Sequence, residues 1–184
     1  MTPLTFDFRD GNGPVPAHQH PNGRGWVAET ARVSGDAQVS GNAQVFGNAR
    51  VSGNAQVSGD AWVSGDAQVF GNAQVSGDAW VFGDAQVFGN AQVFGNARVF
   101  GDAQVKALVD CATVGPVGSR GAYLTLFRAA DKDVGARYAT GCFIGTYAEL
   151  KASCLQTHGK DSKHYQDYGY AATTLWRIVM GETP

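Results

Sequence analysis

The stretch VFGDAQVFGNAQVFGNARVFGDAQV, residues 81–105, repeats one six-residue unit four times and opens a fifth. In general form the unit is Val-(Ser/Phe)-Gly-(Asp/Asn)-Ala-(Gln/Arg/Trp), and it runs unbroken from Val33 to Val105. Ala-x-Val sets a small and a branched apolar residue two apart, hence on one face of a strand. Gly followed by Asp or Asn is turn chemistry, because both tolerate a positive φ. So short a strand is not stable alone. Stacked coils bury the Val and Ala columns continuously and hydrogen-bond their backbones along the axis.

Outward from this core, Val27–Arg32 already fits the frame, and the pairs Val109/Cys111, Gly115/Val117 and Gly121/Tyr123 keep a weak register. The expected organisation is an N-terminal cap or loop over 1–24, a parallel β-helix over 25–121 and a small α+β module over 122–184.

The repeat resembles the hexapeptide repeat of left-handed parallel β-helices. That resemblance implies a mainly β fold of about five coils, left-handed and triangular in section. It is specific for fold and not for function, since acyltransferases, carbonic anhydrases, cytoskeletal and antifreeze proteins share the architecture. With three units per coil, residues 18 apart stack. Gln44, Trp62, Trp80 and Arg98 form one outward column, Arg32, Arg50, Gln68, Gln86 and Gln104 a second, and Gln38, Gln56, Gln74 and Gln92 a third. Asp66, Asp84 and Asp102 share a column with Asn48, and Asp60 and Asp78 share one with Asn42 and Asn96. These read as solvated turn aspartates; the GGxGxD motif of a calcium ladder is absent.

The second position of the unit changes along the chain. It is mostly serine early, with Phe46 and Phe70, and then phenylalanine throughout at Phe82, Phe88, Phe94 and Phe100. Facing outward, these rings make an aromatic collar on all three faces. It is either covered by the C-terminal segment or another subunit, or stacked on itself, Phe82 on Phe100 and Phe70 on Phe88.

Net charge is −2, which provides no field for nucleic acid or anionic lipid. No apolar run is long enough to span a membrane. The opening MTPLTFDFRDGNG carries acids and lacks the apolar core of an export leader, so a cytoplasmic location is expected. Cys111, Cys142 and Cys154 form no CxxC pair, and no disulfide or zinc site is indicated. No histidine lies between residues 21 and 157, whereas hexapeptide acyltransferases bring one to a cleft beside coenzyme A and the β-helical carbonic anhydrases need three for zinc. His18 and His20 make an HxH pair without an evident third ligand. No cofactor or metal is expected.

Composition changes after Gly121. Ala122–Ala130 alternates like a strand, 131–135 reads as a turn and Arg137–Phe143 as a returning strand. Thr146–His158 is a helix with a capping box from Thr146 to Glu149, and Lys163–Met180 a second helix, interrupted or bent near Gly169. This ββαα segment resembles small modules that follow such repeats in bacteriophage and prophage proteins. Cys142 or Cys154, with His158 or His164, offers a thiol and base lacking any orienting acid, and Cys154 and His158 are four apart on one helix face. Tyr165, Tyr168, Tyr170 and Trp176 read as core, with a binding face as the alternative.

The expected function is a non-enzymatic binding or assembly scaffold of phage or prophage origin, a homo-oligomer contacting a phage or host protein, even countering host defence. Phe82, Phe88, Phe94 and Phe100 are the expected contact residues. One alternative is an acyltransferase relative using His18, His20, His158 or His164. The other is a small-molecule site at subunit seams, with Trp62, Trp80 and Arg98 gripping a planar anionic ligand.

Overall fold

The computed structural model describes residues 4–130, 135–141 and 143–181. An N-terminal antiparallel hairpin, β1 (Thr5–Phe6) and β2 (Val15–Gln19), pairs onto β3 (Trp26–Ala28), the first solenoid strand. Strands β4 to β16 follow at six-residue spacing, from Arg32–Val33 to Gln104–Val105, each two residues long. Every one pairs in parallel with the strand 18 residues away, Gln56 on Gln74 and Trp62 on Trp80 among them. The result is a parallel β-solenoid of about four turns with three ladders: β3-β6-β9-β12-β15, β4-β7-β10-β13-β16 and β5-β8-β11-β14.

The unit's chemistry explains each part of the coil. Every valine from Val39 to Val105 is at most 1% exposed, and every alanine from Ala37 to Ala103 at most 3%. The interior is therefore one continuous apolar column, each valine contributing about 1.5–3 kcal/mol relative to exposure. Coil-to-coil bonds such as Gln56 N to Ala73 O and Ser58 N to Val75 O, both 2.9 Å, satisfy the backbone. The corner glycine of each unit has a positive φ, +70° at Gly59. A side chain there would point straight at the next coil, because an added Cβ would stand 3.0 Å from Gly77 N. The turn amides bond along the axis too, with Asn42 Nδ2 donating to Asp60 Oδ1 at 2.9 Å and Asn54 Nδ2 to Asn72 Oδ1 at 3.2 Å. Interleaved asparagine thus gives Asp60 and Asp66 a donor, and no group of metal-ligating side chains forms among the described residues.

The solenoid ends earlier than the weak register after Val105 predicts. Lys106–Asp110 lacks the Gly-Asp corner; the Asp110 carboxylate instead accepts from Lys106 N at 3.0 Å and Ala107 N at 2.8 Å, closing a short 3-10 turn at Leu108–Asp110. Cys111–Val117 then leaves the coil as β17 and pairs antiparallel with β18 (Ala122–Arg128). β19 (Ala136–Thr140) and β20 (Phe143–Gly145) complete a four-stranded antiparallel sheet. The expected two-strand module therefore has four strands, and Cys111–Val117 belongs to its sheet rather than to a fifth coil.

Two helices follow, α1 (Tyr147–His158) and α2 (Lys163–Met180). The capping box forms: Thr146 Oγ1 accepts from Glu149 N at 3.3 Å, and Glu149 Oε2 accepts from Thr146 N at 2.7 Å. α2 runs as one helix through Gly169 and is not interrupted there. Residues 131–134 of the expected turn lie outside the described residues.

The module closes the rod. Phe127 and Ala139, both fully buried, extend the Val/Ala core upward. Ala103 bridges Ala129, Ala130 N donates to Asp102 O at 3.0 Å, and Arg98 N donates to Thr125 Oγ1 at 3.2 Å. Ion pairs of Arg137 with Asp102 (3.1 Å) and Arg128 with Asp110 (2.8 Å) flank the junction. No helix among the described residues is long and apolar enough to cross a membrane.

Candidate functional site

Side chains on one face of the solenoid form a row of flat groups, because a parallel ladder repeats its residues at one spacing. In the β3-β6-β9-β12-β15 ladder the outward column reads Trp26, Gln44, Trp62, Trp80, Arg98. Trp62 and Trp80 stack with centroids 4.9 Å apart and planes within 3°, and the Arg98 guanidinium lies 4.6 Å above Trp80. Arg98 also donates to the carbonyl of Gly141 at 3.3 Å. It therefore ties the rod to the module, where the sequence reading has it gripping an anionic ligand. A recess of about 400 Å³ remains beside it, lined by Asp78, Trp80, Asn96 and Tyr123.

The N-terminal hairpin covers the start of this face. Phe6 stacks on Trp26 at 4.3 Å and Phe8 on Phe46 at 4.9 Å, burying Phe46 to 7% exposure. Sequence reasoning missed Phe6, Phe8 and Trp26, although Trp26 stands one coil before Gln44 and so belongs to its column.

The collar divides. Phe82 stacks on Phe100 at 4.5 Å, and Phe100 packs toward Phe127 of the module at 6.2 Å. Phe88 stacks on Phe70 at 5.1 Å. Phe94 is 59% exposed, with Leu108 and Val109 also exposed. Self-stacking thus holds Phe82, Phe88 and Phe100, cover by the module adds to it at Phe100, and neither reaches Phe94. Phe94 follows Ser40, Ser58 and Ser76 in its column, so no ring lies one coil before it, and its ladder, ending in β14 (Gln92–Val93), has four strands while the other two each carry five solenoid strands. Among the described residues, no backbone carbonyl accepts from the amides of Gln92 and Phe94. A recess of about 290 Å³ lies here, between β14 and Leu108–Thr113.

Beside the Trp row the phenylalanine column reads Phe46, Ser64, Phe82, Phe100. Ser64 leaves a slot of about 270 Å³ between Phe46 and Phe82, flanked by Trp62 and Trp80, with Arg9 and Asp10 also lining it.

In the module, α1 and α2 enclose a groove of about 510 Å³ with Cys154 and Leu150 inside it, Tyr147 and Tyr165 among its walls, and Lys151 and Arg177 lining it too. Tyr168 is core, as expected, whereas Tyr170 is 79% exposed. Of the thiol candidates, Cys154 is a free, buried cysteine. Burial pushes the Cys154 thiol up, which disfavours the thiolate. His158 faces His164, ring centroids 5.4 Å apart, and Tyr168. Cys111 is pushed up to about 12 by burial and by the Asp110 carboxylate. Cys142 lies outside the described residues. His18 pairs with Glu29 at 2.7 Å and His20 is buried.

Fold and surface together define a parallel β-solenoid with a capped end and an aromatic face. The chain is similar to the YdcK beta-solenoid repeat family, whose repeat matches residues 37–53, 43–59, 55–71, 67–83, 73–89 and 91–106. These matches start 6, 12 or 18 residues apart, so any of the three faces serves as the start of a coil. No curated protein and no solved structure matches the chain.

Proposed function

We propose that the chain is a non-enzymatic binding and assembly protein, built on a left-handed, hexapeptide-type solenoid. The rod sets spacing and rigidity, and its capped end makes the contact. The observation that carries this reading is the Phe94–Leu108–Val109 patch at the end of the one ladder that stops a strand early. An exposed strand edge rimmed by apolar side chains is a template for pairing with another strand. The occupant is a second copy of the chain. The patch carries no charge to select a different surface, and the edge is self-complementary when two copies meet antiparallel about a two-fold axis. The likeness of the C-terminal segment to phage modules supports a phage or prophage origin, with the face left open by such a dimer available to a host protein.

Size-exclusion chromatography with light scattering tests the reading. The expected species has twice the 19.3 kDa chain mass, and the Phe94→Ser/Leu108→Ser double variant elutes as a folded monomer. A wild-type monomer at about 100 μM, well above the Kd of a stable dimer, would sink the proposal.

A further inference from the structure

We propose that the slot at Ser64 is a binding site for a small planar aromatic carboxylate. Three observations converge on it.

The first is a missing ring. Where two phenylalanines follow one another in a column they stack, Phe82 on Phe100 at 4.5 Å and Phe70 on Phe88 at 5.1 Å. Phe46 and Phe82 are two coils apart, about 9.6 Å at the usual strand spacing, and Ser64 stands between them. A guest ring at the Ser64 level lies about 4.8 Å from each coil, the spacing at which this chain stacks its own rings. One face of Phe82 is taken by Phe100, and the other looks into the slot.

The second is size and lining. At about 270 Å³, the slot exceeds the roughly 150 Å³ cavity known to take benzene. That room suits one fused bicyclic ring. Its flank is the stacked Trp62–Trp80 pair; their facing surfaces cover one another and Arg98 lies over Trp80, so the pair presents ring edges to the guest, the edge-to-face geometry aromatic rings favour. Phe46, held from behind by Phe8 at 4.9 Å and set edge-on to Trp62 at 5.9 Å, closes the near end.

The third is the charge at the mouth. Asp10 and Arg9 both reach it, but the Asp10 carboxylate accepts from Asn12 N at 3.0 Å and Asn12 Nδ2 at 2.9 Å, so both oxygens already hold donors. The Arg9 backbone is fixed at φ +57° with its N–H on Asp7 Oδ1 at 2.8 Å. Its guanidinium has no ion-pair partner within 4.0 Å among the described residues, although Asp7 and Asp60 line the recess on its other side. The Asp10 carboxylate keeps its charge at the mouth, so selection of a carboxylate guest rests on the Arg9 guanidinium fork donating to it directly.

The test is a titration of the full-length, 15N-labelled protein with unlabelled indole-3-acetate, followed through the tryptophan indole N–H resonances. Trp62→Phe and Trp80→Phe assign the two relevant peaks. The expected result is that Trp62 and Trp80 shift together and saturably, while Trp26 and Trp176 stay in place. Ser64→Phe supplies the missing ring from within and abolishes the shift; Ser64→Leu, a smaller fill, serves should the first variant fail to fold. Arg9→Gln weakens binding about fivefold, the upper range for an exposed pair, and tryptamine binds more weakly than indole-3-acetate by at least that factor. An undiminished shift in the folded Ser64 variants would overturn the site. So would the lack of any saturable shift by about 5 mM, beyond a millimolar Kd. Tryptamine binding as tightly as the carboxylate would overturn the ligand class.

Discussion

Two glycine corners offer a comparison that separates backbone strain from collision between coils. Gly59 and Gly95 both have a positive φ, +70° and +64°, and both turn a corner of the solenoid. They differ in what lies above. A Cβ at Gly59 would sit 3.0 Å from Gly77 N and 3.2 Å from Gly77 O, whereas one at Gly95, on the last coil, would meet nothing within 4 Å. Alanine at either corner carries the left-handed penalty of about 1–2 kcal/mol, offset by about 0.4–1 kcal/mol from a stiffer unfolded chain. Gly95→Ala should therefore cost about 0.5–1 kcal/mol. Gly59→Ala adds the overpacking of backbone against backbone, about 1–3 kcal/mol, for a total of roughly 2–4 kcal/mol. At about 2–4 °C per kcal/mol for a chain of this size, Gly59→Ala should lower Tm by about 8 °C and Gly95→Ala by about 3 °C or less. Paired thermal and urea melts of the two variants measure the difference. Equal losses would refute the argument that coil-to-coil approach, and not φ alone, requires glycine at these corners.

Other consequences are open to direct measurement. Tyr138 is fully buried and its hydroxyl donates to Ala172 O at 2.8 Å. Tyr138→Phe loses that bond while the helix still uses the carbonyl, so the expected loss in urea unfolding is about 1 kcal/mol. Burial, with the neighbouring Tyr147 hydroxyl, raises the Tyr138 phenol above the ordinary tyrosine value; in an ultraviolet alkaline titration of wild type against Tyr138→Phe, the component lost in the variant should be one that ionises above that value. In a Cys142→Ser background, Cys111 and Cys154 should resist iodoacetamide at pH 8 until denaturant is added, since burial raises both. For Cys111 the unfolded chain loses its proton near 9.0 and the folded one near 12. The folded state thus holds the extra proton between those values, and this group's contribution is full below about pH 9 and declines as pH rises toward 12. Unfolding free energy that rises over that window in wild type relative to Cys111→Ser would contradict the assignment.

The rod was legible because one geometry repeats: Val63 and Val81 each lie between a valine one coil before and one coil after, so any inner coil reports on the others. The boundary was less legible. Cys111–Val117 alternates small and apolar residues much as the coils do, and only the loss of a Gly-Asp corner at Lys106–Asp110 distinguishes a strand leaving the solenoid from one staying in it. The Arg98 contact with Gly141 spans 43 residues and no local pattern announces it. The Ser64 slot is a different case. Every residue that forms its column was visible, but the change from serine to phenylalanine reads first as a trend along the chain. Sorted by column, it becomes a single interruption between Phe46 and Phe82.

Strands that start every six residues and pair every 18 make the solenoid a ratchet. Insertion or loss of 18 residues lengthens or shortens it by one coil, about 4.8 Å, and returns the module to the same azimuth. A change of six residues leaves the valine and alanine columns filled but turns the module by about 120°, one face of the three that close a coil. Length and orientation are thus set by separate integers, and unequal recombination among near-identical units can alter either one without creating a cavity. The hairpin at one end and the four-stranded sheet at the other are the fixed jaws of this adjustable spacer. Between them, genetic slippage translates directly into a change of reach or of heading.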